Sequence, residues 1–138
     1  MGSVAVPEAM PSVETGPDAA KTVLVVEDEA FVCEVTCDIL RQSGYRVLRA
    51  EDAATAKRLF SRYSEKIDLL LCDAVLPDEN GVSLAHTLRR QSPALKLIFA
   101  SGYPRSELDG EFDREQADFL TKPYSSTTLI ARVRRLLK

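Results

Sequence analysis

Thr22-Val-Leu-Val-Val-Glu-Asp28 is the stretch on which the fold turns. Its first five residues form an unbroken, largely β-branched run, which suits a strand buried on both faces; a strand with one wet face would alternate with polar residues. Helices should then cover both sides, and the pattern supplies them. Over residues 29–43, Phe31, Val35, Ile39 and Leu40 recur at helical spacing, and Gly44 provides the stop. The alternation continues, with strands expected at 45–49, 67–72, 96–100 and 117–120. Helices are expected at 53–64, with Ala56, Leu59, Phe60 and Tyr63 on one side, and at 82–91. A weak helical stretch spans 105–115, and a last helix spans 127–137, with Leu129, Val133 and Leu136 facing inward. Five strands alternating with five helices predict an α/β, doubly wound domain with a parallel sheet covered on both faces.

The composition bounds the rest. A chain of 138 residues with 45% hydrophobic and 28% charged residues is one globular domain's worth. A domain of that size buries roughly two thirds of the surface its unfolded chain exposes, so it needs no disulfide or structural metal to close a core. Eighteen Lys and Arg against twenty-one Asp and Glu give a net charge of −3, which argues against phosphate backbones and anionic membranes as direct partners. No apolar run approaches the roughly 18 residues of a membrane span, and the start lacks a secretory leader, so a cytoplasmic chain is expected. Residues 1–20 hold Pro7, Pro11 and Pro17 but no aromatic and no basic residue; they read as a disordered lead-in or linker to a domain at 21–138. Cys33, Cys37 and Cys72 lack the histidines or CxxC pairs of a zinc site and are expected as reduced, core-packed thiols. The lone His86 is expected at the surface.

Polar residues gather where the strands end: Glu27 and Asp28 after the first, Asp73 after the third, Ser101 after the fourth, Lys122 after the fifth. In an open parallel sheet these ends share one edge, and ligands bind where the strand order reverses, between strands one and three for the order 2-1-3-4-5. Three carboxylates would meet there and repel one another unless a cation sits among them. Oxygen ligands favour a hard divalent ion, Mg²⁺ first and Mn²⁺ as a substitute.

Glu27-Asp28, Asp73 within Asp73-Ala-Val-Leu-Pro-Asp-Glu-Asn-Gly81, Phe99-Ala-Ser-Gly-Tyr103 and Lys122-Pro123 together resemble the receiver domain of bacterial two-component response regulators. The resemblance covers about 21–138 and implies a flavodoxin-like (βα)5 domain. It implies that Asp73 is the phosphoacceptor, attacking phosphorus in line to form an acyl phosphate. Asp28 and Asp73 would ligate Mg²⁺ directly, Glu27 mainly through water, and Val75 through its backbone carbonyl. Lys122 would contact a phosphoryl oxygen, and Ser101 would draw its hydroxyl onto the phosphoryl group. Phe119 stands at the place of the aromatic switch residue, with plain core packing as the alternative.

The implied partners are a histidine kinase or histidine phosphotransfer protein and an unidentified output protein, with no direct nucleic acid. The chain would catalyse its own Mg²⁺-dependent phosphorylation and dephosphorylation without being an independent enzyme. The Phe-Ala-Ser-Gly-Tyr stretch is similar to that of receivers attached to hybrid histidine kinases and of a stand-alone subgroup. Two rivals are weighed against this. An aspartate-nucleophile phosphatase would place a second Asp two residues after the nucleophile, where Val75 stands; a non-phosphorylated binding module would not need the full set of side chains. Pro77, Asp78 and Gly81 are expected only to shape the loop after Asp73, and Arg132, Arg134, Arg135 and Lys138 to form a solvated helical face.

Overall fold

The computed structural model describes residues 20–102 and 112–137. Strands β1 (Thr22–Val26), β2 (Arg46–Ala50), β3 (Leu69–Asp73), β4 (Lys96–Ser101) and β5 (Ala117–Thr121) form one sheet in the order β2-β1-β3-β4-β5. Every pairing is parallel. Helices α1 (Ala30–Gln42), α2 (Ala53–Tyr63), α3 (Gly81–Gln91) and α4 (Ser126–Leu137) cover it. The expected doubly wound architecture and strand order are what the chain adopts.

Strand residues alternate between two cores, as the period of two requires. Leu24, Val26, Leu48, Leu70, Cys72, Leu97 and Phe99 pack with Phe60 of α2 and Leu84 and Leu88 of α3. On the other face, Val23, Val25, Leu69, Leu71, Ile98 and Leu120 pack with α1 and α4. No helix among the described residues is long and apolar enough to cross a membrane.

The apolar stripe that reveals α1 in the sequence is only partly the face it buries: Leu40 and Ile39 pack inward, the stripe's N-terminal half does not. Phe31 is 80% exposed and Val35 40%, while Cys33, Thr36, Cys37 and Leu40 face the sheet. All three cysteines are free and buried as expected. Of the weak helical stretch, residues 105–111 lie outside the described residues, as do 1–19 of the lead-in. Residues 112–115 are bend and turn, because Asp113 accepts the Glu115 amide through its side chain (3.0 Å) and the Gln116 and Ala117 amides through its carbonyl. Such local bonds compete with a helix.

Two glycines carry geometric necessity. Gly44 ends α1 at φ 97°, in the left-handed region. At Gly81 a Cβ would overlap the carbonyl oxygen of Asp73 and lie 3.1 Å from the Cys72 sulfur, so α3 can start against β3 only with glycine there.

Candidate phosphoacceptor and metal site

The register brings the expected residues to one edge. Asp73 pairs with Ala100, and Ser101, the next residue, pairs with Thr121, which precedes Lys122. The Lys122 amide donates to the Ser101 carbonyl (2.9 Å), joining the ends of β4 and β5. From there the Lys122 ammonium reaches across the edge to Glu27 Oε1 (2.8 Å) and Asp73 Oδ2 (2.9 Å). Side-chain exposure falls from 22% at Lys122 to 12% at Asp73 and 5% at Glu27. Asp73 Oδ1 accepts the Val75 amide (3.1 Å), and Glu27 Oε2 accepts the Glu29 amide (3.1 Å).

Carboxylate oxygens of Glu27, Asp28 and Asp73 lie within 4.8 Å of one another. Burial pushes the Glu27 carboxyl above its ordinary range, against the pull of Lys122. Burial would lower the Lys122 ammonium, but its hydrogen bonds to Glu27 and Asp73 outweigh this and raise it. The lysine is therefore a fixed positive charge. One cation, paired with two of the three acids, leaves an excess of negative charge, and an all-oxygen donor set with a solvent-exposed member, Asp28, fits a hard divalent ion.

The Val75 side chain is 59% exposed and aliphatic. Phe119 is buried and its ring packs against Phe99 with centroids 6.1 Å apart; Phe99 in turn meets Phe112 at 5.3 Å. His86 is exposed on α3, its ring 4.9 Å from Phe112.

Three sets of residues near the site escape the sequence reading. Asp78 does more than shape its loop: it accepts the Ala53 and Ala54 amides at the start of α2 (2.9 and 3.0 Å). The Tyr124 hydroxyl, two residues past Lys122 and its cis peptide to Pro123, bonds to the buried Thr36 hydroxyl of α1 (2.9 Å). A threonine on the core face of α1, between Cys33 and Leu40, is the one sequence signal for that bond. Arg132 and Arg135 lie on the solvated face as expected but also make specific bonds. Arg135 pairs with the buried Asp118 (2.7 Å) and reaches the Ala117 and Arg114 carbonyls, and Arg132 donates to the Phe119 carbonyl (2.9 Å). β5 is the last strand of the sheet, and these guanidiniums cap its outer carbonyls. Arg134 is exposed as expected, and Lys138 lies outside the described residues.

A family profile described as the response regulator receiver domain matches residues 23–134. The chain belongs to that family. This receiver is 35% identical to the alkaline phosphatase synthesis transcriptional regulatory protein SphR of Synechococcus elongatus, over 95% of this chain and 55% of that protein. It spans about half the length of the curated regulators it matches, 55% of SphR and 52% of the phosphate regulon regulator PhoB of Pseudomonas aeruginosa. Among solved structures it resembles the receiver domain of the hybrid histidine kinase CckA, at 32% identity and TM-score 0.73, over 85% of this chain and 99% of that one. It also resembles the response regulator TrrA of Thermotoga maritima, solved with Mg²⁺ and beryllofluoride, at 27% identity and TM-score 0.73, over 85% and 99% of the two chains.

Proposed function

We propose that this receiver accepts a phosphoryl group on Asp73 in an Mg²⁺-dependent step and signals through changed protein contacts. The observation that carries the reading is the Lys122 ammonium held between Glu27 and Asp73 at 2.8 and 2.9 Å. A structural ion pair needs one carboxylate; a lysine set among three acids at a strand-end edge is equipped to meet incoming phosphoryl oxygens. A carboxylate oxygen of Asp73 forms the new P–O bond as the donor's P–N bond breaks, and the departing imidazole keeps the electron pair. Lys122 pairs with the phosphoryl oxygens as they arrive, and the Ser101 hydroxyl donates to one of them. The chemistry a bound Mg²⁺ supplies is charge neutralisation on those oxygens; Asp28, Asp73 and the Val75 carbonyl would hold it, with Glu27 acting through water. A relative solved with Mg²⁺ and beryllofluoride supports the same use of the edge here.

The donor is a histidine kinase or histidine phosphotransfer protein, as membership of a two-component family implies. Its docking place is supported by a groove of about 410 Å³ beside Lys122, lined by Phe31, Val32, Val35, Ile39 and Tyr124. That stripe exposes Phe31 and Val35 and reaches Lys122, next to the phosphoacceptor. Intact mass after incubation with acetyl phosphate and Mg²⁺ tests the proposal. One phosphoryl group should add to the wild type and none to Asp73→Asn; a mutant that gains the mass at the wild-type rate refutes the assignment.

A further inference from the structure

The loop that leaves the phosphoacceptor, residues 74–80, is tied down at both ends. At its base the Gly81 amide donates to the Ala74 carbonyl (2.8 Å), and Val75 forms an isolated antiparallel bridge with Asn80. At its tip the Asp78 carboxylate forks onto the first two amides of α2, 25 and 24 residues away in sequence. Beside it Glu79 holds Lys57 of α2 (2.6 Å) through one oxygen and the Ser83 hydroxyl (3.0 Å) through the other.

Helix α2 has its own cap, since Asp52 accepts the Thr55 amide (2.8 Å). The Asp78 fork completes the set of early amides that no helical carbonyl can accept. What the loop gains is larger. Ala74 and Leu76 are buried and anchor the base of the loop, whereas Pro77, Asp78 and Asn80 are exposed, so the tip of the loop is held by the Asp78 and Glu79 bonds and not by burial.

We propose that Asp78, assisted by the Glu79–Lys57 pair, is a positioning residue that fixes the 74–80 loop on α2 so that the Val75 carbonyl faces the metal site before an ion arrives. This rests on the metal-dependent reading above. Ordering the loop at folding removes that cost from ion capture, the general advantage of preorganisation. The loop's ties reach α2 and not β1, so the clamp acts on the carbonyl ligand and leaves the carboxylates of Asp28 and Glu27 alone.

The test is an Mg²⁺ titration of the full chain followed by amide NMR shifts. Asp78→Ala should weaken Mg²⁺ by about tenfold, the low end of what partners behind a metal ligand are worth. Asp78→Asn keeps one acceptor oxygen and should fall between the two, and Lys57→Met should weaken binding in the same direction. Asp52→Ala is the control: it uncaps the same helix without touching the loop, and should lower the melting temperature while leaving Mg²⁺ affinity unchanged. Wild-type affinity in Asp78→Asn and Asp78→Ala, or an equal loss in Asp52→Ala, overturns the positioning role. Failure of the underlying reading looks different: wild type would show no Mg²⁺ shifts, or shifts that survive Asp28→Ala.

Discussion

Replacing Lys122 with methionine keeps the aliphatic stem and deletes the charge that Glu27 and Asp73 share. Two mostly buried carboxylates are then left facing each other with Asp28 beside them. Breaking a buried ion pair costs about 3–5 kcal/mol, and an exposed one about 0.2–1; a lysine with 22% of its side chain exposed belongs between, near 2 kcal/mol. Protonation of Glu27 relieves part of the mutant's penalty; for a carboxyl of ordinary pKa about 4.3 it costs about 3.7 kcal/mol at pH 7, at 1.36 kcal/mol per unit.

At about 4 °C per kcal/mol, where the ranges for smaller and larger domains meet, the melting temperature should fall by about 8 °C. The sign with pH follows from linkage. Glu27 already titrates high through burial, and higher still without Lys122, so the folded mutant holds a proton that the unfolded chain releases. The mutant's deficit is therefore full at pH 7–8 and shrinks as pH falls through the Glu27 range. The wild-type benefit from Lys122 is fully present below the unfolded lysine pKa of about 10.4 and is lost as pH rises through the raised folded value. Added Mg²⁺ should stabilise Lys122→Met more than wild type, because it meets acids that no ammonium balances. Thermal melts by circular dichroism at pH 7 and pH 5, with and without Mg²⁺, read all of this. An unchanged melting temperature at pH 7, or a deficit indifferent to both pH and Mg²⁺, refutes the electrostatic account.

Gly81→Ala drives a methyl into the Asp73 carbonyl, a backbone atom that cannot swing aside. It should cost about 3 kcal/mol, the upper end for overpacking, and slow acetyl phosphate labelling; a wild-type urea midpoint would contradict the packing. Tyr124→Phe strands the buried Thr36 hydroxyl and Thr36→Val the half-buried Tyr124 hydroxyl, and each should cost about 1–2 kcal/mol. The double mutant removes both partners and should cost less than the two singles together, whereas additive values in denaturant titrations would show that the 2.9 Å bond does not couple α1 to the Lys122 loop.

What the sequence discloses here is what it encodes locally. β1 reads at its observed limits because its five residues are buried on both sides, which no other element produces in so short a run. Glu27, Asp73, Ser101 and Lys122 read as a group because each sits at or beside a strand end, and parallel strands bring their ends together whatever lies between. The buried face of α1 was harder. Phe31 and Val35 outrank cysteine and threonine on hydropathy, yet Cys33, Thr36 and Cys37 take the inside and the two larger side chains lie on the groove. Asp78, Tyr124, Arg132 and Arg135 bond groups 13 to 88 residues distant, mostly backbone amides and carbonyls that carry no residue-type signal. An acid after proline in a loop looks the same whether it meets water or a helix start.

Those long-range bonds indicate where phosphorylation would act. The carboxylate of Asp73 carries one negative charge, and an acyl phosphate nearly two at neutral pH. A single ammonium now divided between Glu27 and Asp73 would be drawn toward the phosphoryl oxygens, and the buried Glu27 would lose part of its counter-charge. Lys122 is not free to move alone. Its amide is fixed to the Ser101 carbonyl at the end of β4, and the chain beyond it is fixed through Tyr124 to Thr36 of α1, beneath the apolar groove. On the far side Asp78 and Lys57 hold the 74–80 loop to α2, and Arg132 holds the Phe119 carbonyl to α4. The displacement of one lysine would thus be resisted at β3 and β5 and transmitted at β4 and α1, so the end of β4 and the groove over α1 are the surfaces whose partner contacts should change with phosphate.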